Sequence, residues 1–131
     1  MFGCDRAVDV HGLARADTGV VSLLCTGQLP PSFIDYALRA GADGVVVTGC
    51  AEDGCYYRHG NRWTAQRLRA SANPTCVCRY PRERVRVAWA AAGERARLEA
   101  EIEDFRRVLA ALPPAAVRRA ARPKRREAVL G

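Results

Sequence analysis

Cysteine is the residue type through which this 131-residue chain could do chemistry, and it has six. Four stand where short apolar runs end: Cys4 in FGCD, Cys25 closing VVSLLC, Cys50 closing GVVVTGC, and Cys55 five residues further on. A thiolate is a soft ligand that suits iron–sulfur clusters, zinc and Cu(I) better than calcium or magnesium. A [2Fe–2S] cluster takes four cysteine sulfurs, and these four would supply them. Gly27, Gly49 and Gly54 lie beside them. They would let backbone approach closely and aim amide N–H groups at sulfur, which helps to set a cluster's potential. No CxxC knuckle occurs, which weighs against a zinc ribbon, and neither ferredoxin spacing is matched. Free cysteine is also among the most buried residue types. On spacing alone a cluster, a zinc site and plain buried thiols stand level.

The other candidates are weaker. Cys76 and Cys78 form a CxC in the proline-containing stretch 71–84. A second metal there would need further ligands, of which only His11 and His59 are at hand, and a CxC disulfide closes a strained, easily reduced ring. The pair is expected to be incidental or partner-facing, with a thiol redox role as the alternative. His59 is expected as a loop histidine bonded to backbone, with metal ligation or proton coupling as the lesser alternative. Tyr56, Tyr57 and Trp63 would shield a metal centre from water, or serve as core or interface. Asn61 reads as a helix cap. No P-loop, GxGxxG or GxSxG is present.

The elements that must position these thiols follow from periodicity. Val20–Cys25 and Val45–Thr48 are continuous β-branched runs, which suit strands covered on both faces. Between them Pro30 and Pro31 open a helix whose Phe33, Ile34, Ala37 and Leu38 share one face, and Gly41 stops it. The unit is βαβ, with a right-handed crossover expected. Parallel sheets bind ligands at their carboxyl edge, so Cys25 and Cys50 would meet there. Asn61 to about Ala70 is expected as a helix, 71–84 as a loop, and Val85–Ala91 as a third strand. Glu94–Leu112 is a helix with Leu98, Ile102, Phe105, Leu109 and Leu112 on one face and a Glu103–Arg107 surface pair. Only a short helix around Ala7–Ala16 is foreseen before residue 20.

Length and composition suit one domain. No apolar run approaches the roughly 20 residues that span a bilayer, and no basic-then-apolar leader opens the chain, so a cytoplasmic protein is expected. Disulfides are rare in that compartment. The net charge is +7, of which segment 114–131 carries five. Lys124 is the only lysine, so the basicity is a property of an arginine-rich tail, and nucleic-acid binding is not expected of the domain itself. Residues 1–113 are therefore read as the domain and 114–131 as a basic, flexible tail.

The order FGC, LLCTG-LPPSFIDYALRAGADGVVVTGC, C-x4-CYY-x-GN and ERVRVAW resembles the delta subunit of methyl-viologen-reducing hydrogenase, the hydrogenase iron–sulfur subunit. The resemblance covers roughly residues 2–112 and is sharpest over Gly41–Asn61. It implies a small three-layer α/β domain with a parallel sheet, flavodoxin-like or Rossmann-like. It also implies a [2Fe–2S] cluster on Cys4, Cys25, Cys50 and Cys55. That cluster would pass electrons between a hydrogenase or formate dehydrogenase and a heterodisulfide reductase-like flavoprotein. The chain would then be an electron-transfer subunit of an oxidoreductase complex, its last helix or loop aromatics forming the interface. Relatives carry more cysteines around the first motif, where this chain has Gly3 and Ala7. They also have an apolar strand before the first cysteine, where this chain has only Met1-Phe2-Gly3, so the first strand is expected to be missing or truncated. In a sheet ordered 2-1-3-4 its absence would leave a gap of roughly 9–10 Å, to be filled by residues upstream or by another chain. The alternatives are a structural zinc module binding nucleic acid or another chain, and a thiol redox protein using Cys76 and Cys78.

Overall fold

The computed structural model describes residues 1–70 and 80–114; Cys76, Cys78 and nearly all of the basic tail lie outside them. Four parallel strands, β1 (Phe2–Cys4), β2 (Val21–Leu23), β3 (Val45–Gly49) and β4 (Val85–Trp89), form one sheet in the order β2-β1-β3-β4. Helices α1 (Pro31–Arg39), α2 (Gly60–Ala70) and α3 (Arg95–Ala111) complete an α/β architecture.

The sheet has no missing strand. Three residues close the expected gap: Phe2, Gly3 and Cys4 pair with Val21, Ser22 and Leu23 on one side, and Phe2 pairs with Val47 on the other. The ladder continues at both ends through Val21 N–H to Met1 O and Asp5 N–H to Leu23 O, each 2.8 Å. A strand this short carries no readable alternation, yet between two neighbours it completes hydrogen bonds on both edges. The short helix foreseen around Ala7–Ala16 is only a 3-10 turn, His11–Leu13. There the Asp9 carboxylate accepts from His11 N–H at 3.0 Å, a local side-chain bond that competes with helix.

The pleat separates two apolar layers. Phe2, Val45 and Val47 pack with Leu29 and Ile34 on the α1 side, with Leu68 of α2 and Val85 and Val87 against them. Ala88, Ala90 and Leu98 pack with Val8 and Leu13 on the α3 side. β3 is buried along its whole length, as a central parallel strand should be. β2 is an edge strand, so Val21 is exposed rather than covered as expected. Phe33 also turns outward, leaving Ile34 as the fully buried residue of α1. Gly41 ends α1 at φ +111°, a conformation that disfavours any side chain. The expected Glu103–Arg107 pair gives way to others: Glu103 meets Arg15 and Arg106, and Arg107 meets Asp104.

Candidate metal centre

Each of the four thiols enters from the carboxyl edge of the sheet. Cys4 is the last residue of β1, and Cys50 follows β3 directly. They flank the point between β1 and β3 where the strand order reverses, the position at which open parallel sheets bind ligands. Cys25 lies two residues beyond β2, at the start of the 3-10 turn Thr26–Gln28. Cys55 lies midway along the connection from β3 to α2, residues 50–59.

The thiols are grouped as two pairs. Cys4 Sγ and Cys50 Sγ are 3.9 Å apart and buried, and the sulfurs of Cys25 and Cys55 both lie against the backbone of Gly60. Two thiolates on one tetrahedral metal, at a metal–sulfur distance of about 2.3 Å, lie about 3.8 Å apart. The Cys4–Cys50 spacing fits that edge. Among the described residues no three His, Cys, Asp or Glu side chains converge as a closed cage for a single ion.

Backbone amides surround the sulfurs. Gly27 N–H donates to Cys25 Sγ at 3.3 Å, the Arg6 backbone N–H faces Cys4, and those of Asn61, Tyr57 and Gly60 face Cys55. Burial pushes the Cys4 thiol up to about 11 despite the Arg6 amide, and burial likewise raises Cys25. Burial acts in the same sense on Cys55, but there the three amides and the Cys25 thiol outweigh it and hold the group below the ordinary thiol range. Hydrogen bonds to a charged form favour that form, so the Cys55 corner is built to receive negative charge on sulfur.

Of the three glycines expected beside the site, only Gly27 aims its N–H at a sulfur; Gly54 N–H turns back to Ala51 O, and Gly49 O accepts from Ala90. The closest backbone belongs to Gly60. A Cβ there would stand 2.3 Å from Cys25 Sγ and 3.4 Å from Cys55 Sγ. The donors Arg6, Tyr57, Gly60 and Asn61 had no sequence signal beyond the Gly60-Asn61 pair, because the contacts arise only where separate loops meet.

Helix α2 is tied to two of those loops. Thr64 Oγ1, fully buried, bridges Thr26 O at 2.7 Å and Gly60 O at 2.8 Å. Asn61 lies within the first turn of α2 rather than capping it, and its Nδ2 donates to Ala51 O and Glu52 O, both at 2.9 Å. A buried amide that satisfies two carbonyls contributes about 1 kcal/mol per bond, and more is lost if the carbonyls are left bare.

Of the roles open to the loop aromatics, neither shield nor core fits: they form an exposed rim. Tyr56 is 64% exposed and Trp63 60%, with Tyr57 and Leu24 also exposed. Tyr56 carries the Arg6 guanidinium over its ring at 4.6 Å and meets Tyr57 edge-on at 5.0 Å. His59 stands against Trp63, ring centroids 6.3 Å apart.

Residues 3–113 match the family described as methyl-viologen-reducing hydrogenase, delta subunit. The iron-sulfur subunit of the F420-non-reducing hydrogenase from Archaeoglobus profundus is 32% identical over 113 residues, 83% of this chain and 82% of that protein. A polypeptide of the ferredoxin:CoB-CoM heterodisulfide reductase from Methanosarcina mazei is 31% identical over 110 residues, 81% of this chain. This chain spans only 14% of the length of that relative, and the same holds for its counterpart in Methanosarcina acetivorans.

Proposed function

Because the chain belongs to the methyl-viologen-reducing hydrogenase delta subunit family, we propose that it is an electron-transfer subunit whose four gathered thiols hold a [2Fe–2S] cluster. The supporting observation is the 3.9 Å approach of Cys4 to Cys50, with Cys25 and Cys55 both against Gly60 and Gly27 N–H donating to Cys25. Two thiolates per metal suit a two-iron cluster better than one tetrahedral zinc, which would draw all four to a single point.

Cys4, Cys25, Cys50 and Cys55 would be the ligands. When bound, such a cluster supplies one-electron exchange, and the protein sets its potential. In this chain the amides of Arg6, Gly27, Tyr57, Gly60 and Asn61 offset negative charge on the sulfurs, which favours the reduced state. Burial of Cys4 and Cys50 keeps water from one side, and the aromatic rim borders the other.

The names of the relatives support a partner of one kind. In the Methanosarcina proteins the stretch like this chain is a small part of a longer polypeptide named for heterodisulfide reductase, so the two functions can share one chain. This protein would take electrons from a hydrogenase or formate dehydrogenase. It would dock on a heterodisulfide reductase-like partner that carries flavin and iron–sulfur centres. The exposed Leu24, Tyr56, Tyr57 and Trp63 would be the docking surface beside the thiols.

Anaerobic purification with iron and acid-labile sulfide counts, followed by EPR after dithionite, tests the assignment. About two irons and two sulfides per chain with a reduced S = 1/2 signal are expected for a four-thiolate cluster. Zinc, or no metal after reconstitution, would overturn it.

A further inference from the structure

Six residues after the fourth thiol, Asn61 sends its side chain back to the loop that joins Cys50 to Cys55. It is 2% exposed, and both polar atoms of its side chain are used. Nδ2 donates to the carbonyls of Ala51 and Glu52, the first two residues after Cys50. Ala51 O also receives Gly54 N–H at 2.9 Å, so one carbonyl gathers both the turn and the clamp. Oδ1 accepts from Arg62 N–H at 2.8 Å, which orients the amide within its own helix. The preceding residue, Gly60, lies against the sulfurs of Cys25 and Cys55.

We infer that Asn61 is a positioning residue for the thiol centre, its side-chain amide clamping the loop between Cys50 and Cys55 onto the first turn of α2. The inference rests on the reading of the four thiols as a metal centre. A six-residue loop with a ligand at each end has many shapes; two bonds to consecutive carbonyls from a rigid helix leave it one. The same residue brings its backbone N–H to the Cys55 sulfur. Groups behind metal ligands that fix their orientation typically change metal affinity by about 10- to 100-fold. Thr64 is the natural comparison: it is equally buried on the same helix, but it ties the Cys25 loop and Gly60 and does not reach Ala51 or Glu52.

The test uses the full chain, wild type and with Asn61→Ala, Asn61→Asp or Thr64→Val, prepared anaerobically. Asn61→Asp keeps the shape and removes the two donated bonds. In both Asn61 variants iron is expected to leave to a chelator about 10- to 100-fold faster. The midpoint potential of the protein that remains loaded should shift to more negative values, with altered EPR g-values. Iodoacetamide labelling mapped by mass should rise at Cys50 and Cys55 while Cys4 stays as in wild type. Thr64→Val should lower the melting temperature without that selective pattern. Wild-type potential, iron retention and labelling in both Asn61 variants would overturn the proposal, leaving Asn61 an ordinary buried amide. Equal labelling of all four cysteines, or the same pattern in Thr64→Val, would also overturn it. If wild type takes up no iron, the cluster assignment fails, while the labelling pattern in metal-free protein still decides the clamp.

Discussion

At Gly60 a single methyl group would stand inside the van der Waals surface of the Cys25 sulfur. Alanine normally favours a helix over glycine by about 1 kcal/mol, so helix propensity and site geometry oppose each other at this residue. Gly60→Ala is expected to keep the fold, by circular dichroism and melting, while retaining iron about 10-fold less well. Wild-type iron retention in that variant would show that the backbone need not approach the sulfurs so closely. Asn61 presents a similar opposition. Its residue type suggests a cap, yet the structure directs its amide sideways to the Cys50–Cys55 loop.

Among the elements, α3 holds the sheet from the side away from α1, and Leu98, with no exposed surface, is its anchor against Val8, Ala88 and Ala90. Leu98→Ala should cost about 2–5 kcal/mol in denaturant unfolding; a cost near zero would mean that α3 is not part of the cooperative unit. The same helix reaches the loop before β2 through Arg106, which with Thr18 holds the Asp17 carboxyl down to about 2. A carboxylate depressed on folding stabilises above its unfolded pKa of about 3.9. That contribution is lost as pH falls through the folded value of about 2. Melting temperature followed from pH 5 to 2 should therefore decline less in Asp17→Asn than in wild type. Because Asp17 lies at the surface, the difference should shrink as salt is added. Parallel curves for the two proteins at low salt would remove the Asp17–Arg106 pair from the acid sensitivity.

For the whole molecule, the thiols share their end with a group of exposed apolar side chains, Leu24, Tyr56, Tyr57 and Trp63. No described helix is long and apolar enough to cross a membrane, and Tyr56, Tyr57 and Trp63 are left uncovered beside the thiols instead. Large aromatics at an interface often carry most of its binding energy, about 2 kcal/mol or more for a central one. Replacing all three by alanine is expected to weaken capture of a purified heterodisulfide reductase-like partner by at least about 10-fold, a loss of about 1.4 kcal/mol. Iron content should be unchanged. Undiminished capture would move the interface elsewhere, with α3 the next surface to vary.

The sequence by itself determined the βαβ order, the parallel sheet, the long last helix and where along them the cysteines stand. Each depends on local pattern: β-branched runs, a proline pair opening a helix, a seven-residue apolar repeat, and cysteines set where runs end. Only the tertiary structure decided that Phe2–Cys4 is a strand, because three residues have no periodicity and gain their hydrogen bonds from Val21–Leu23 and Val47. It alone decided the pairing of Cys4 with Cys50, 46 residues apart, and the place of Gly60 and Asn61 among the sulfurs. Those contacts join loops from different strands, and what brings the loops together is the burial of Phe2, Ile34, Val47 and Leu98 beneath the sheet edge. Spacing along the chain carries no record of that distance.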